Sequence, residues 1–209
     1  MQWLATGERL TKQTFDEYRK EGGLVFCHYG ANAHEMVDNF MAEPTTIVAS
    51  DAIPYVDHCS HPRSAGTFCR VLRVYVREER TLTLMDALRK MSYLPARRLE
   101  RFCPAMLMKG RLQVGCDADI TLFDHETVGD NATFTASNAP STLSHVIVNG
   151  VFVVRDGVYQ AEAVAASPPG RAVHGGRGAA EGAAPRLRKD AGLAAALLEV
   201  AVPFLGSGE

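Results

Sequence analysis

The sequence lacks the marks of a disulfide scaffold. Its five cysteines (Cys27, Cys59, Cys69, Cys103 and Cys116) are odd in number, widely spread and without a CxxC pair. Free or buried thiols are therefore the expectation. It also lacks a long apolar run of the roughly 18–20 residues that span a bilayer. Its most apolar stretch, residues 194–205, is interrupted by Glu199 and Pro203. No leader pattern follows Met1, so the sequence reads as cytoplasmic. An excess of one charge is missing as well: 22 basic against 24 acidic side chains give a net charge of -2. No domain-sized segment carries the clustered Lys and Arg that phosphate backbones require, so nucleic acid is not an expected partner, nor is a membrane. There is no GxGxxG, P-loop, GxSxG or HExxH, which removes the common nucleotide sites and hydrolase elbows.

What is present is a hydrophobic share of 46%, enough for a folded globular chain. The first part alternates helix and strand patterns. Thr11 caps a predicted helix to about Lys20, with Gly22-Gly23 as its stop. Residues 24–29 have strand character, residues 33–42 read as a helix, and Pro44 forbids its continuation. Residues 45–50 are β-branched and apolar, suited to a strand buried on both faces. This order predicts a parallel α/β sheet. Residues 51–67 form a long polar segment without strong periodicity. Phe68, Val71, Leu72, Tyr75 and Val76 then keep helical spacing. Thr83 with Asp86 opens another predicted helix, and Pro95 fits the first turn of a further short one. From Gly115 the pattern turns to strands: residues 118–123, then 145–148 and 151–155 around Asn149-Gly150, a strong hairpin signal. Residues 163–185 are rich in Ala, Gly and Pro and read as poorly ordered, and Asp190 caps a possible helix over 191–201.

Candidate chemistry concentrates after residues 45–50. Asp51 stands at the carboxyl end of a predicted parallel strand, the functional edge of α/β sheets. A carboxylate there serves proton transfer, metal binding or turn capping. Asp57, His58, Cys59 and His61 are metal-ligating types, but their spacing matches no standard zinc pattern. Arg63 carries the planar fork that clamps a carboxylate. His28 and Tyr29 end the preceding predicted strand, as structural residues or as site lining. Asp117, Asp119 and Asp124 read as turn residues, Met85, Met91, Met106 and Met108 as core or filler, and the basic residues of 177–189 as a solvated tail.

Several segments in order carry a resemblance: IVASD (47–51), HPRSAGTF (61–68), LPARRL (94–99), GCDADITLFD (115–124) and HVIVNG (145–150). Together they resemble the C-terminal part of the N-acyl-D-amino-acid deacylases, or D-aminoacylases, of the metal-dependent amidohydrolase superfamily. The resemblance implies an α/β fold. It comprises the last two βα units of a (β/α)8 barrel (residues 1–110), a small β-sandwich portion (111–160) and a disordered tail with a possible short helix (161–209). It implies Zn²⁺-assisted hydrolysis of the amide of an N-acyl-D-amino acid. Asp51 matches the general base and is also the one candidate metal ligand. Arg63 matches the arginine that holds the substrate carboxylate. Asp51-Ala52 stands where the family pattern has Asp-Gly.

A full barrel takes roughly 250 residues, and only about 50 precede the matched last strand. The family's other metal ligands have no matched positions here. The expectation is a truncated form with weak or no activity alone, prone to self-association through an uncovered sheet edge. The alternative outside enzymes is a non-catalytic remnant or an interaction module that needs a partner chain. The alternative enzyme is a cyclic amidase of the dihydropyrimidinase type.

Overall fold

The computed structural model describes residues 1–3, 6–23, 25–27, 33–52 and 61–174. His28, Tyr29, residues 57–60, the basic run and the expected helix over 191–201 lie outside them.

Local signals set the early elements. Helix α1 (Lys12–Glu21) begins where Thr11 and Thr14 form a reciprocal capping box, each side chain meeting the other's backbone N–H, and it stops at Gly22 with φ 76°. Trp3 of β1 (Gln2–Trp3) stacks on Tyr18 of α1, with ring centroids 4.7 Å apart. β1 pairs antiparallel with β2 (Val25–Phe26). Helix α2 (Ala33–Ala42) ends before Pro44.

The expected parallel strand over 45–50 opens on a turn at Pro44-Thr45 and belongs to no sheet among the described residues. Its β-branched side chains favour the extended backbone, yet a strand also needs a neighbouring ladder. Its backbone tie runs instead to a helix, Val48 N to Lys90 O at 3.2 Å.

The polar segment turns helical earlier than its composition suggests. Helix α3 (Arg63–Arg70) starts right after Pro62 and widens without a break into π-turns over Val71–Glu78. The widening buries Val71, Leu72, Val74, Tyr75 and Val76, a denser set than an α-helical stripe holds. Phe68, expected on that stripe, is 44% exposed. Helix α4 (Leu84–Leu88) is capped by Thr83 and runs through π-turns (Arg89–Tyr93) into α5 (Leu94–Leu99). Pro95 therefore lies inside one continuous helix rather than opening a separate one. Proline removes a helical N–H and crowds the carbonyl four residues back, and the wider turn just before it relieves that conflict.

The β-rich part is a four-stranded antiparallel meander of β3 (Ile120–Leu122), β4 (His145–Val148), β5 (Val151–Arg155) and β6 (Val158–Tyr159). Asn149 and Gly150, at φ 50° and 82°, make the β4–β5 turn, and Asp156-Gly157 makes the next at 51° and 76°. Helix α6 (Ala161–Ala166) follows.

One core joins these parts. Cys69, Val71, Leu72, Val74, Tyr75, Val76, Leu82, Ala87 and Val128 are buried together, with Met41, Val48, Phe123 and Leu143 packed against them. Polar ties reinforce it. Arg73 donates from Nε to Asp130 at 2.9 Å, and Arg77 donates to the carbonyls of His125 and Val128 at 2.9 and 2.8 Å. The π-turns that continue α3 are thus fixed against the loop that joins β3 to β4.

Candidate functional site

Asp51 and Arg63, the two residues singled out from the sequence, meet directly. Arg63 Nη2 lies 2.8 Å from Asp51 Oδ2, and Arg63 Nε donates to the Asp51 backbone carbonyl at 2.7 Å. One edge of the guanidinium fork therefore holds Asp51 at two points. Among the described residues the other edge, which carries Nη1, bears no hydrogen bond. Asp51 sits at φ 48°, a left-handed conformation that Asp tolerates better than most residues. Its side chain is 82% exposed, against 33% for Arg63.

Arg63 owes its position to the first turn of α3. Its N–H donates to His61 Nδ1 at 3.1 Å, and its carbonyl accepts from Thr67 Oγ1 at 2.8 Å. The His61 ring meets Phe134 edge-on, centroids 5.0 Å apart, and Arg9 lies over Phe134 at 5.9 Å. Ser141 Oγ donates to Ala65 O at 3.0 Å. The Asp130 Cβ lies only 3.0 Å from where a Cβ on Gly66 would stand, so glycine permits this close approach. Residues from the loop that precedes β4 thus frame the Arg63 turn.

Of the acidic residues near β3 that were expected in turns, Asp124 caps one, whereas Asp117 and Asp119 are ion-pair partners. Lys109 pairs with Asp117 at 2.9 Å and, more closely still, with Asp119. Asp119 also accepts the Asn149 N–H at 2.7 Å. Burial alone would raise the Asp119 carboxyl, but hydrogen bonds from Lys109 and the Asn149 amide hold it net below its ordinary value. Asp124 caps its own turn through Glu126 N and Thr127 Oγ1.

Sequence reasoning missed Lys90, which is 1% exposed. Its ammonium donates to the Glu43 carbonyl and to Thr46 Oγ1, the latter at 2.8 Å. Burial pushes this amine below its ordinary value. The signal that marks it is a lysine in phase with Ala87 and Leu94 on the apolar stripe of its helix. The Arg73–Asp130 pair, 57 residues apart, left no comparable signal.

The family model described as "Amidohydrolase family" matches residues 29–154, more than half of the chain. The chain belongs to the amidohydrolase family. It is 45% identical over 108 residues to the N-acyl-D-glutamate deacylase of Alcaligenes xylosoxydans xylosoxydans, covering 51% of this chain and 21% of that one. A crystal structure of D-aminoacylase superposes with a TM-score of 0.57 at 32% identity, covering 66% of this chain and 27% of the other. The N-acyl-D-glutamate deacylase of Bordetella bronchiseptica, solved with zinc and a phosphonate mimic of the reaction's tetrahedral intermediate, superposes with a TM-score of 0.52 at 38% identity. That match covers 57% of this chain and 24% of the other. The chain spans about a fifth of the length of the curated relatives it matches.

Zinc sites need three or four converging N, O or S donors. Among the described residues no three His, Cys, Asp or Glu side chains come together, and the Asp51 carboxylate already faces a guanidinium. The described residues of this amidohydrolase do not fit a zinc ion. No helix among them is long and apolar enough to cross a membrane.

Proposed function

We propose that this chain serves the hydrolysis of the amide bond of N-acyl-D-amino acids, with Arg63 as the carboxylate-binding residue and Asp51 as the proton-transfer residue. The observation that carries the reading is the divided Arg63 fork. Its inner edge fixes Asp51, and its outer edge, without a hydrogen bond among the described residues, offers paired N–H donors to a second carboxylate. A substrate carboxylate docked on that outer edge lies within one guanidinium width of Asp51.

The step balances as follows. Asp51 takes a proton from the attacking water, whose oxygen bonds to the acyl carbon. The carbon–nitrogen bond then breaks, and Asp51 returns the proton to the leaving amine. The products are a carboxylate and a free D-amino acid. A zinc ion of the kind in the Bordetella relative would need ligands other than the described residues, and no step here depends on one. A carboxylate-bearing substrate also suits the Arg63 fork better than a cyclic amide, which lacks the matching group.

The test is release of free amino acid from N-acetyl-D-glutamate, N-acetyl-L-glutamate and dihydrouracil by the purified chain in zinc-containing buffer. We expect release from the D-compound only, and a drop of about 10²-fold or more in Asp51→Asn, the usual range for a lost proton-transfer group. Equal cleavage of both enantiomers, no cleavage at all, or full activity in Asp51→Asn would each overturn the proposal.

A further inference from the structure

Residues 46–50 deliver Asp51 to the site, yet no ladder holds them among the described residues. Val48 packs against the core, and the polar anchorage of the segment is concentrated on one buried residue. Lys90 Nζ donates to the Glu43 carbonyl, just past the end of α2, and to Thr46 Oγ1. Thr46 Oγ1 in turn reaches the Phe40 and Glu43 carbonyls at 2.6 and 3.0 Å. The Lys90 main chain grips the next alternate residue, since its carbonyl accepts from Val48 N at 3.2 Å. Side chain and backbone of one residue thus fix positions 43, 46 and 48, and Asp51 follows three residues later.

A buried ammonium is a costly way to fill space, and methionine or leucine would pack the same stem without that cost. What the ammonium adds is directed N–H donors aimed at the carbonyl end of α2 and at Thr46. From this we infer that Lys90 is a positioning residue: through residues 43–48 it sets where Asp51 meets Arg63. The inference rests on the reading of Asp51 and Arg63 given above.

The Arg63 Nε–H that donates to the Asp51 carbonyl offers a direct reporter, because its exchange with solvent can be followed by NMR in the full chain without substrate. The peak is assigned by its loss in Arg63→Met. In Lys90→Met we expect this Nε–H to exchange about tenfold faster, the equivalent of losing one ordinary hydrogen bond. The Arg73 Nε–H, held by Asp130, keeps its rate in the same sample. A purely structural lysine would lower the melting temperature and leave the Arg63 signal unchanged, and that result would overturn the inference. If Lys90→Met does not fold, Thr46→Val removes the hydroxyl at similar shape and is expected to move the signal in the same direction; an unmoved signal there overturns the inference equally. A wild-type chain that fails to bind N-acetyl-D-glutamate sinks the functional reading alone, because the exchange measurement needs no ligand.

Discussion

Replacing Arg63 by methionine separates function from stability, and the structure sets the size of both effects. The lost ion pair joins a side chain 82% exposed to one 33% exposed, so water and salt screen it and its contribution lies near 0–1 kcal/mol. The Nε–H bond to the Asp51 carbonyl adds about 0.5–1.5 kcal/mol. Methionine keeps an unbranched stem and a similar helix propensity at the start of α3. The expected net loss is about 1 kcal/mol, or a melting temperature lower by about 2–4 °C for a chain of this size. Binding of a carboxylate is a different matter. A bidentate charge-assisted clamp is worth about 1.5–3 kcal/mol, so the Kd for N-acetyl-D-glutamate should rise roughly tenfold to a hundredfold. Arg63→Lys keeps the charge without the fork and should fall between the two. Titration calorimetry with a thermal melt on the same samples measures both quantities. An affinity within twofold of wild type, or a loss of affinity matched by collapse of the fold, would refute the assignment of Arg63.

Asp130 is buried and accepts from Arg73, so Asp130→Asn should lower stability by about 1.5–3 kcal/mol in a urea titration, while a change below 0.5 kcal/mol would show that the pair is dispensable. Gly110 has φ 68°, and a Cβ there would stand 2.6 Å from the Ser92 carbonyl oxygen. Gly110→Ala should therefore cost about 2–4 kcal/mol by left-handed strain and overlap, read as a lower melting temperature. Asp119 titrates net below its ordinary 3.8 in the fold, so it adds stability above that pH and loses it as pH falls through its lowered value. Lys109 behaves oppositely. Burial would lower it, but the hydrogen bonds to Asp119 and Asp117 raise it net above 10.5, so its contribution is present below that pH and fades as pH rises further. Asp119→Asn should flatten both limbs of the stability–pH curve, and unchanged limbs would show that the Lys109 pairs do not matter to folding.

The parts legible in the sequence are those fixed by near neighbours. The Thr11 cap, the Thr83 start and the Asn149-Gly150 turn each depend on residues within a few positions, and each lies where the local chemistry put it. The start of α3 at Arg63 was not legible, because its support is distant: Ser141 binds the Ala65 carbonyl and Asp130 rests on Gly66. The strand expected over residues 45–50 did not form a ladder among the described residues, because whether they pair with a strand or with the Lys90 carbonyl depends on what lies beside them. Pro95 was read as a helix start because α-helical rules leave it no interior place; the π-turn before it is the unforeseen accommodation. Asp51 and Arg63 were found from residue chemistry and as family positions, whereas their direct ion pair depends on the fold around them.

The two kinds of polar contact in this chain divide the labour. The Asp51–Arg63 pair is exposed, and exposure keeps both groups available to a ligand while making their mutual attraction cheap to lose. A pair that weak cannot hold its own geometry against the conformational freedom of the backbone on either side. Its placement must come from groups that are expensive to disturb, and the structure supplies one on each flank. Lys90, fully buried, holds the segment that leads into Asp51, and Asp130, nearly buried, holds the helix that begins at Arg63. Substitutions at the pair should therefore weaken carboxylate binding at Arg63, or proton transfer at Asp51, while the fold survives. Substitutions at Asp130 should destabilise the fold first, whereas substitutions at Lys90 should loosen the segment that carries Asp51 and so disturb the pair. Asp51→Asn combined with Asp130→Asn offers a sharp case. Because the two residues share no contact and act on different quantities, their effects on stability should add to within about 0.5 kcal/mol. A larger interaction would mean that the exposed pair helps hold the helix it was inferred to depend on.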